Sequence, residues 1–513
     1  MLWIALHLPL LSLESFAAAC CGEVLPEAGP VAMALLDAQR IASANAAAQA
    51  LGIKPGLKRA TALALAPQLV LGQADPKRDW QSIEAVAHVA LAFTPSVAIQ
   101  PSGDGAAGPK TVVLEVERCL RYFGGFDALL QRLHKALSVL GHRIHCVSAP
   151  TAQGAALLAC VHSRLHCPDP ATLHGALDAA PVWLLGPGRE HWDALQGMGL
   201  RTLADLRRLP RAGIARRFGE ALLGELDRAR GEQPDPREPI GVPERFDSRL
   251  ELFARADTTD QVLQGAGVLL ARLTAWLGAQ HAQVRRFTLV MHHETRWRRE
   301  PRAPAATPLT IALTEPSRDP IHLLVLLRER LARVSLSAPT LELQMQVDEI
   351  THRAPPTGEL FPTPSNEAEG LIRLIERLQA RLGHEQVQRL VLVSDHRPER
   401  GSSIQTMPAS VAQRVKSGEL EAAGRSSPPR PVWLSPQPEP LPERQSRPWF
   451  DGRPLQLLSG PERIESGWWD ADLAQRDYFI AQAHDGALVW IYRARLPLSE
   501  TPAPGWFLQG RFA

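Results

Sequence analysis

The sequence predicts a multidomain α+β protein, and three observations support this fold class. The chain has 513 residues, which is enough for about three to five domains. Strands and helices alternate through the first 170 residues. Between residues 243 and 352 the predicted order is strand–helix–strand–strand–helix–strand. Hydrophobic residues make up 45% of the chain, so several hydrophobic cores can form.

The charge balance excludes a histone-like protein and an acidic-tail protein. The chain has 56 Lys+Arg and 54 Asp+Glu, for a formal net charge of +2. Almost all of the positive charge is arginine, since the chain has only six lysines. The planar guanidinium of arginine suits bidentate phosphate contacts. The same arginine bias also follows from a GC-rich genome, so composition alone does not decide between the two.

Cysteine usage and hydropathy favour a cytoplasmic protein without a metal or another cofactor. The six cysteines form no Cys-x-x-Cys pair and no zinc-ligand spacing, so we expect reduced thiols. The apolar residues 1–21 lack the basic start of a secretion signal. No run of about 18 apolar residues is evident, so no transmembrane helix is expected.

The first 170 residues predict a mixed sheet with helices packed on it. Runs of apolar and β-branched residues predict strands, and alanine- and leucine-rich runs predict helices. The predicted strands are Trp3–Leu11, Thr111–Val116 and His145–Ala149. The predicted helices are Ala42–Leu51, Leu57–Pro67, Phe126–Leu140 and Ala152–Cys160.

A helix-hairpin-helix pattern follows within residues 175–235. Short helices flank Gly199-Leu-Arg-Thr-Leu-Ala-Asp-Leu206. The turn amides and the N-terminus of the following helix in such a motif can bind a DNA phosphate. This interpretation makes Gly199, Arg201 and Thr202 candidate DNA contacts. A plain helical hairpin with no DNA role is the alternative.

Residues 243–352 predict a βαββαβ domain with an arginine-rich surface. The elements in chain order are Phe246–Glu251, Thr259–Leu277, Val284–His292, Pro308–Leu313, Pro320–Val334 and Thr340–Ile350. Arginines that alternate with an aromatic residue suit phosphate binding combined with base stacking. The candidate DNA contacts are Arg285, Arg286, Arg296, Trp297, Arg298 and Arg299. The alternative is a solvated, arginine-biased loop.

The tail combines a connector, a mobile linker and an ordered end. A proline-rich connector carries Leu360-Phe361, and a helix (Ala368–Leu382) and a strand (Arg389–Val393) follow it. Residues 401–447 are rich in Pro, Ser and Gln, which predicts a mobile linker. Strands at Tyr478–Ala483 and Leu488–Arg493 predict a β-hairpin. Tryptophan is a favoured interface anchor and also ordinary core material. The candidate partner-binding residues are Trp468, Trp469, Trp490 and Trp506.

The order of these parts resembles the Y-family translesion DNA polymerases. Gly52-Ile-Lys-Pro-Gly56 with Ala64-Leu-Ala-Pro67 is similar to the fingers of that family. The segment Leu114–Gly125 is similar to the strand and helix after its catalytic carboxylates. The tail motifs resemble the polymerase-like subunit of bacterial damage-induced mutagenesis cassettes. These motifs are Asp395-His-Arg-Pro-Glu-Arg400, Leu457–Asp470 and Gly505–Phe512.

The resemblance implies six domains and linkers. They are a palm at 1–170 with fingers inserted at about 20–75, a helix-hairpin-helix thumb at 175–235, a little-finger-like domain at 243–352, a clamp-binding linker with a helix and a strand at 353–400, a mobile linker at 401–447, and a tryptophan-rich module at 448–513.

The resemblance also implies that the polymerase active site is lost. Aligned on the first strand, two metal-binding aspartates of the family fall on His7 and Pro9. The later Asp-Glu pair falls on Lys110 and Thr111. The Tyr and Arg that grip the triphosphate fall on two uncharged residues, Ala46 and Gln49. The alternative is a divergent polymerase that uses relocated carboxylates, namely Asp104 and Glu115.

The connector contains a segment that is similar to the pentapeptide clamp-binding motif, Gln-Leu-x-Leu-Phe. It reads Thr357-Gly358-Glu359-Leu360-Phe361, so that Thr357 replaces Gln and Gly358 replaces Leu. The resemblance therefore implies a non-catalytic adaptor of the SOS response to DNA damage. Its implied partners are the sliding clamp (β subunit), primer-template DNA, an error-prone C-family DNA polymerase and a RecA-like accessory protein. Its implied location is the cytoplasm, at the nucleoid after damage.

Overall fold

The chain folds into two compact units, Met1–Thr363 and Pro364–Ala513. The predicted fold class is confirmed, because helices and several separate sheets are present in both units. The structure is a computed structural model, and it describes residues 1–20, 31–101, 110–186, 191–294, 304–352, 364–407, 429–495 and 505–512.

The first region of unit 1 contains a central five-stranded sheet and a small three-stranded sheet. The strands are β1 (Trp3–His7), β2 (Met33–Asp37), β3 (Arg40–Ala44), β4 (Val70–Gln73), β5 (Val97–Gln100), β6 (Thr111–Glu115), β7 (His145–Ala149) and β8 (Arg164–His166). The central sheet has the order β5-β6-β1-β7-β8, and the small sheet has the order β3-β2-β4. The helices are α1 (Leu11–Ala19), α2 (Ala46–Ala50), α3 (Arg59–Leu65), α4 (Pro76–Leu91), α5 (Leu120–Phe123), α6 (Phe126–Ser138) and α7 (Ala152–Ala159).

Apolar side chains cover both faces of the central sheet. Ile4 and Leu6 point to one side, where they share a core with α4 and α6. Ala5 points to the other side and joins the core built on α7. This alternation follows from the two-residue period of a strand, and it buries β1 between two layers.

Two predicted element boundaries near the N-terminus are wrong. The strand predicted at Trp3–Leu11 ends at His7, and Leu11 begins α1. Pro9 has no backbone N–H and cannot continue the hydrogen-bond ladder. The helix predicted at Ala42–Leu51 is confined to Ala46–Ala50, where the Asn45 side chain caps the N-terminus by accepting from the Ala48 amide. The residues before Asn45 form β3 because they pair with β2, an interaction that local sequence does not reveal.

In the second region of unit 1, the described residues between 170 and 230 form five α-helices. They are α8 (Pro170–Ala179), α9 (Trp192–Gly197), α10 (Leu203–Arg207), α11 (Arg211–Phe218) and α12 (Glu220–Arg230). Their buried leucines belong to the core that also covers the α7 face of the central sheet. The helical hairpins are therefore anchored on the first region.

The third region of unit 1 has the predicted βαββαβ order. Its elements are β9 (Asp247–Ala256), α13 (Thr259–Ala279), β10 (Gln283–His293), β11 (Ala306–Ser317), α14 (Pro320–Leu331) and β12 (Thr340–Thr351). The antiparallel sheet has the order β11-β10-β12-β9. Both helices lie at positions where the apolar periodicity of the sequence predicts them.

Helix α13 bears on the expectation that the chain has no transmembrane helix. By length and composition alone it is the one described helix that is apolar enough to cross a membrane. Its apolar side chains Leu269, Leu273 and Leu277 are fully buried. Arg272 on the same helix is also buried and donates to Gln81 of α4 over 2.9 Å. These contacts are those of a core helix, whose apolar run serves packing within unit 1.

The described residues of unit 2 are mainly β-structure, together with the long helix α15 (Pro364–Leu382). Its strands are β13 (Gln388–Leu392), β14 (Ser402–Thr406), β15 (Trp433–Leu441), β16 (Glu443–Arg444), β17 (Arg447–Phe450), β18 (Arg453–Pro454), β19 (Gln456–Ser466), β20 (Ala474–Gln482), β21 (Leu488–Ala494) and β22 (Trp506–Arg511). The main sheet has the order β15-β22-β21-β20-β19. The predicted hairpin is confirmed as β20 and β21.

The prediction of a mobile linker over 401–447 is wrong for the parts that the structure describes. Ser402–Thr406 pairs with β13, and Trp433–Leu441 pairs with β22. Strand β15 carries several prolines, which remove backbone donors. It lies at the edge of its sheet, where a strand has one side without ladder bonds and tolerates proline. Residues 408–428 lie outside the described residues.

Candidate functional site

The central sheet brings three of the predicted degenerate positions together. His7 ends β1 and Thr111 begins β6, and the two are partners in the antiparallel register. The His7 Nδ1 and the Thr111 Oγ1 are hydrogen-bonded over 2.8 Å. The carbonyl of Lys110 accepts from the Leu8 amide over 2.8 Å. Pro9 lies in the turn that follows. The alignment-based grouping of these residues therefore corresponds to one end of the sheet.

The electrostatics at this end of the sheet oppose cation binding. Burial, together with the smaller effects of the neighbouring His145 and Lys110, lowers the pKa of His7 to about 4. The imidazole is therefore neutral at pH 7. A pair of divalent ions at a nucleotidyl-transfer site needs clustered oxygen ligands, above all carboxylates. An imidazole, a hydroxyl and an ammonium group do not fit such ions, and no step of a metal-dependent reaction can be assigned to them.

The relocated carboxylates do not restore the site within the described residues. Glu115 pairs with Trp3 at the other end of the His7 strand. Four residues of extended chain separate it from Thr111, a distance of about 13 Å. Its carboxylate accepts from the Glu117 amide over 3.1 Å. Asp104 lies outside the described residues. In the described part of the chain, no group of three or more His, Cys, Asp or Glu is placed to hold a metal ion.

The two candidate triphosphate positions lie on α2. Ala46 offers no polar side-chain atom. The Gln49 amide donates to the carbonyl of Ala44 over 2.8 Å, so it serves the local turn. Neither side chain carries the positive charge that binding of a triphosphate requires.

The predicted phosphate-binding turn is formed, but one of the chain's own carboxylates occupies its amides. Gly199 has a φ of 78° and links α9 to α10, and Thr202 is the N-cap of α10. The amides of Arg201 and Thr202 donate to the Asp205 carboxylate over 3.2 and 3.0 Å. The Thr202 and Arg201 hydrogen bonds lower the pKa of Asp205. A DNA phosphate would have to displace this carboxylate. The Thr-x-x-Asp spacing resembles a capping box and could have revealed the contact from sequence.

The predicted arginines of the βαββαβ domain share one carboxylate. Arg285 and Arg286 of β10 lie 3.7 and 2.9 Å from the Glu349 carboxylate on β12. All three side chains are about half exposed, so the trio carries one net positive charge at the surface. Sequence reasoning missed Glu349 because the β10–β12 register is a long-range property. The remaining candidates, Arg296, Trp297, Arg298 and Arg299, lie outside the described residues.

The candidate clamp-binding segment Thr357–Phe361 lies outside the described residues and stays a prediction. The four candidate tryptophans divide into two pairs. Trp490 and Trp506 are 2% and 4% exposed, so they are core residues and the prediction that they contact a partner is corrected. Trp468 and Trp469 are 78% and 54% exposed, and their rings meet edge to face with centroids 5.4 Å apart.

A buried arginine holds the turn that carries the exposed tryptophan pair. The Arg397 side chain is 1% exposed. Its guanidinium donates to Asp395 over 2.7 Å and to Asp470 over 2.6 Å, and it also reaches Asp472 over 3.3 Å. It also lies over the Trp469 ring, 5.7 Å from the centroid. The structure thus joins two of the sequence motifs that carry the family resemblance.

No protein-family model matches the chain. The protein ImuB of Caulobacter vibrioides, strain NA1000 / CB15N, is 30% identical over 485 residues, which cover 90% of this chain and 100% of that protein. ImuB of strain ATCC 19089 / CIP 103742 / CB 15 has the same identity and coverage. This chain belongs to the ImuB family.

Two solved structures align with this ImuB-family chain at lower identity. An insertion ternary complex of Dbh DNA polymerase has 16% identity and a TM-score of 0.38, covering 68% of this chain and 99% of that chain. A crystal structure of DinB from Sulfolobus solfataricus has 17% identity and a TM-score of 0.36, covering 68% of this chain and 98% of that chain.

Membership of the ImuB family supports a role related to mutagenesis and translesion synthesis. In this family member, the predicted degenerate positions His7, Lys110 and Thr111 lie together at one end of the central sheet. The other candidate contacts are the turn between α9 and α10, the arginines of the βαββαβ domain, the connector and the exposed tryptophan pair of unit 2.

Glu349→Gln in this ImuB-family chain is expected to raise the affinity for primer-template DNA about two- to fivefold at low salt. The substitution releases Arg285 and Arg286 from their shared carboxylate, and the salt dependence of binding should steepen by about one phosphate contact. Fluorescence anisotropy with labelled DNA, at several salt concentrations, measures both quantities.

Glu465→Gln is the matched control, because Glu465 forms an exposed ion pair with Arg495 over 2.8 Å in unit 2. This control should leave DNA affinity unchanged. If both substitutions raise the DNA affinity equally, the change in net charge alone explains the effect. No effect of Glu349→Gln would exclude Arg285 and Arg286 from the DNA interface.

Proposed function

We propose that this chain is a non-catalytic adaptor in error-prone translesion DNA synthesis. The observation that carries the proposal is the pairing of His7 with Thr111 beside Lys110, where nucleotidyl transfer would need carboxylates. A neutral imidazole that is hydrogen-bonded to a hydroxyl cannot coordinate two divalent ions. The protein therefore acts by binding, and its partner performs the synthesis.

The adaptor has three kinds of contact. The segment Thr357–Phe361 binds the sliding clamp through Leu360 and Phe361. The helical hairpins and the arginines of the βαββαβ domain bind primer-template DNA. The tail recruits an error-prone C-family polymerase and a RecA-like accessory protein. The exposed Trp468 and Trp469 support a role as anchors, because large aromatic side chains dominate many interfaces.

Tethering of this kind raises the local concentration of the working polymerase at a stalled primer end. A linked binding event gains about 10²- to 10⁴-fold in overall avidity without a new chemical step. The proposed location is the cytoplasm, at the nucleoid after DNA damage, because that is where the clamp and the lesion meet.

A primer-extension assay separates the adaptor from the rival function, a divergent polymerase that uses Asp104 and Glu115. With Mg²⁺ or Mn²⁺, the full-length chain is expected to add no nucleotide to a primer while it binds the sliding clamp at equilibrium. The Asp104→Asn, Glu115→Gln double variant, purified in the same way, is the control. Incorporation shared by both preparations marks a contaminating polymerase. Nucleotide incorporation by the wild type that is lost in the variant would contradict the adaptor proposal and show that the chain is an active polymerase.

A further inference from the structure

Helix α15 of unit 2 carries an exposed row of leucines. Leu371, Leu374, Leu378 and Leu382 recur at spacings of three and four residues, so they lie on one side of the helix. They are 45%, 53%, 37% and 50% exposed. We call these four residues the leucine row. A continuous apolar strip of this kind on a surface helix marks an interaction site more often than an accident of composition.

The leucine row is distinct from the buried face of α15. That inner face contains Ile372, Glu376 and Ala380, which are all buried. The helix is further tied to its unit by Gln379, whose amide donates to the carbonyl of Met407 over 3.1 Å. The helix is therefore already held in place in the folded protein. The leucine row lies outside its buried face.

A row of arginines runs along one border of the leucine row. Arg373, Arg377 and Arg381 are spaced by four residues, and all three are exposed. Between residues 371 and 382 the helix has these three arginines and a single acidic residue, the buried Glu376. The surface beside the leucines is thus positively charged, whatever contacts the individual guanidinium groups make.

We propose that the leucine row and its arginine border form a docking site for an acidic amphipathic helix of a partner protein. Leucines of the partner would pack into the row, in the manner of a helix laid against an apolar groove. Glu or Asp side chains on the flank of the partner helix would face the arginines and set its orientation. This site goes beyond the proposed function and does not depend on it, since neither the clamp segment nor the tryptophan pair takes part.

The test uses a labelled helix-forming peptide of about 18 residues, or about five turns. It carries a leucine row flanked by glutamates, and a second peptide replaces each glutamate by lysine. Fluorescence anisotropy with the full-length chain should show at least about tenfold tighter binding of the glutamate peptide. Leu374→Gln with Leu378→Gln should weaken that binding at least about tenfold. These side chains are already about half exposed, so the circular dichroism spectrum should not change.

A charge reversal makes the test specific. Arg377→Glu with Arg381→Glu should reverse the preference, so that the lysine peptide binds more tightly. Leu390→Gln with Leu392→Gln is the matched control, because those leucines are 76% and 90% exposed on β13 of the same unit. The control should bind like the wild type.

Several results would overturn the proposal. Equal binding of the two peptides, or no binding of either, would show that the site does not bind an acidic helix. Loss of binding in the β13 control alone would move the site to the two-stranded sheet. Self-association of the full-length chain in sedimentation, abolished by Leu374→Gln with Leu378→Gln, would make a second copy of this chain the occupant.

Discussion

Replacing Leu360 and Phe361 by alanine is expected to lower the affinity of the full-length chain for the bacterial sliding clamp by about 100-fold or more. The two side chains are the large apolar residues of the segment that resembles the clamp-binding motif. Truncating one buried apolar anchor at an interface typically costs about 2 kcal/mol or more. Two such losses correspond to at least a factor of about 100. An equilibrium binding measurement against immobilised clamp gives the ratio directly.

Glu359→Ala is the matched control, because it changes the same segment without touching the two apolar anchors. This control should bind within about threefold of the wild type, and all three proteins should have the same thermal unfolding profile. If the double variant still binds the clamp, the adaptor proposal stands, but the clamp-binding segment must lie elsewhere, toward the tail. No binding by any of the proteins would contradict the adaptor mechanism itself.

Arg397→Met is expected to loosen the turn that presents Trp468 and Trp469. The substitution leaves the Asp395, Asp470 and Asp472 carboxylates close together without their shared partner. Removing one member of a buried ion network is much more damaging than replacing the whole network. Amide hydrogen exchange should accelerate at least about tenfold over residues 395–401 and 466–474, while exchange in unit 1 stays unchanged.

Two comparisons identify the buried guanidinium as the cause. Arg400→Met removes a half-exposed arginine that also contacts Asp470 and should have a smaller effect. Arg397→Lys keeps the charge but lacks the planar fork that reaches several carboxylates, so it should lie between the other two variants. Identical exchange in Arg397→Met and the wild type would exclude Arg397 as the residue that holds the turn.

The same network has a pH signature. Hydrogen bonds from the Arg397 guanidinium and, secondly, from its backbone amide lower the pKa of Asp395 to about 2, below its ordinary value of 3.8. Because the pKa is lower in the folded state, the stabilisation is present above about pH 4 and is lost as the pH falls toward 2. The turn should therefore loosen in this acidic range in the wild type. In Arg397→Met most of this stabilisation should already be absent at neutral pH, while the backbone amide of residue 397 can still donate to Asp395.

Local sequence patterns predicted much of the fold. The βαββαβ order follows from apolar periodicity and turn residues, and the β20–β21 hairpin follows from its turn. The errors occurred where long-range pairing overrides local propensity. Residues 42–44 look helical but pair with β2. The proline-rich β15 looks mobile but completes a sheet edge beside β22.

By itself, the sequence determined which chemical groups this protein has. The resemblance to the Y-family polymerases implies that His7, Lys110 and Thr111 stand where those polymerases have carboxylates, and the three residue types can be read without coordinates. Residue type is given directly by the sequence, so the absence of a carboxylate at a position can be recognised without knowledge of the fold. The long tail motifs were equally readable, and the family membership that they imply is confirmed.

Only the tertiary structure decided which of these groups face one another and which face solvent. Strand register sets Glu349 against Arg285 and Arg286. Sheet packing buries Trp490 and leaves Trp468 exposed, although both are the same residue type in the same unit. The Arg397 network joins segments about 70 residues apart. The physical reason is that burial and ion pairing depend on contacts between distant segments, whereas propensity depends only on near neighbours in the chain.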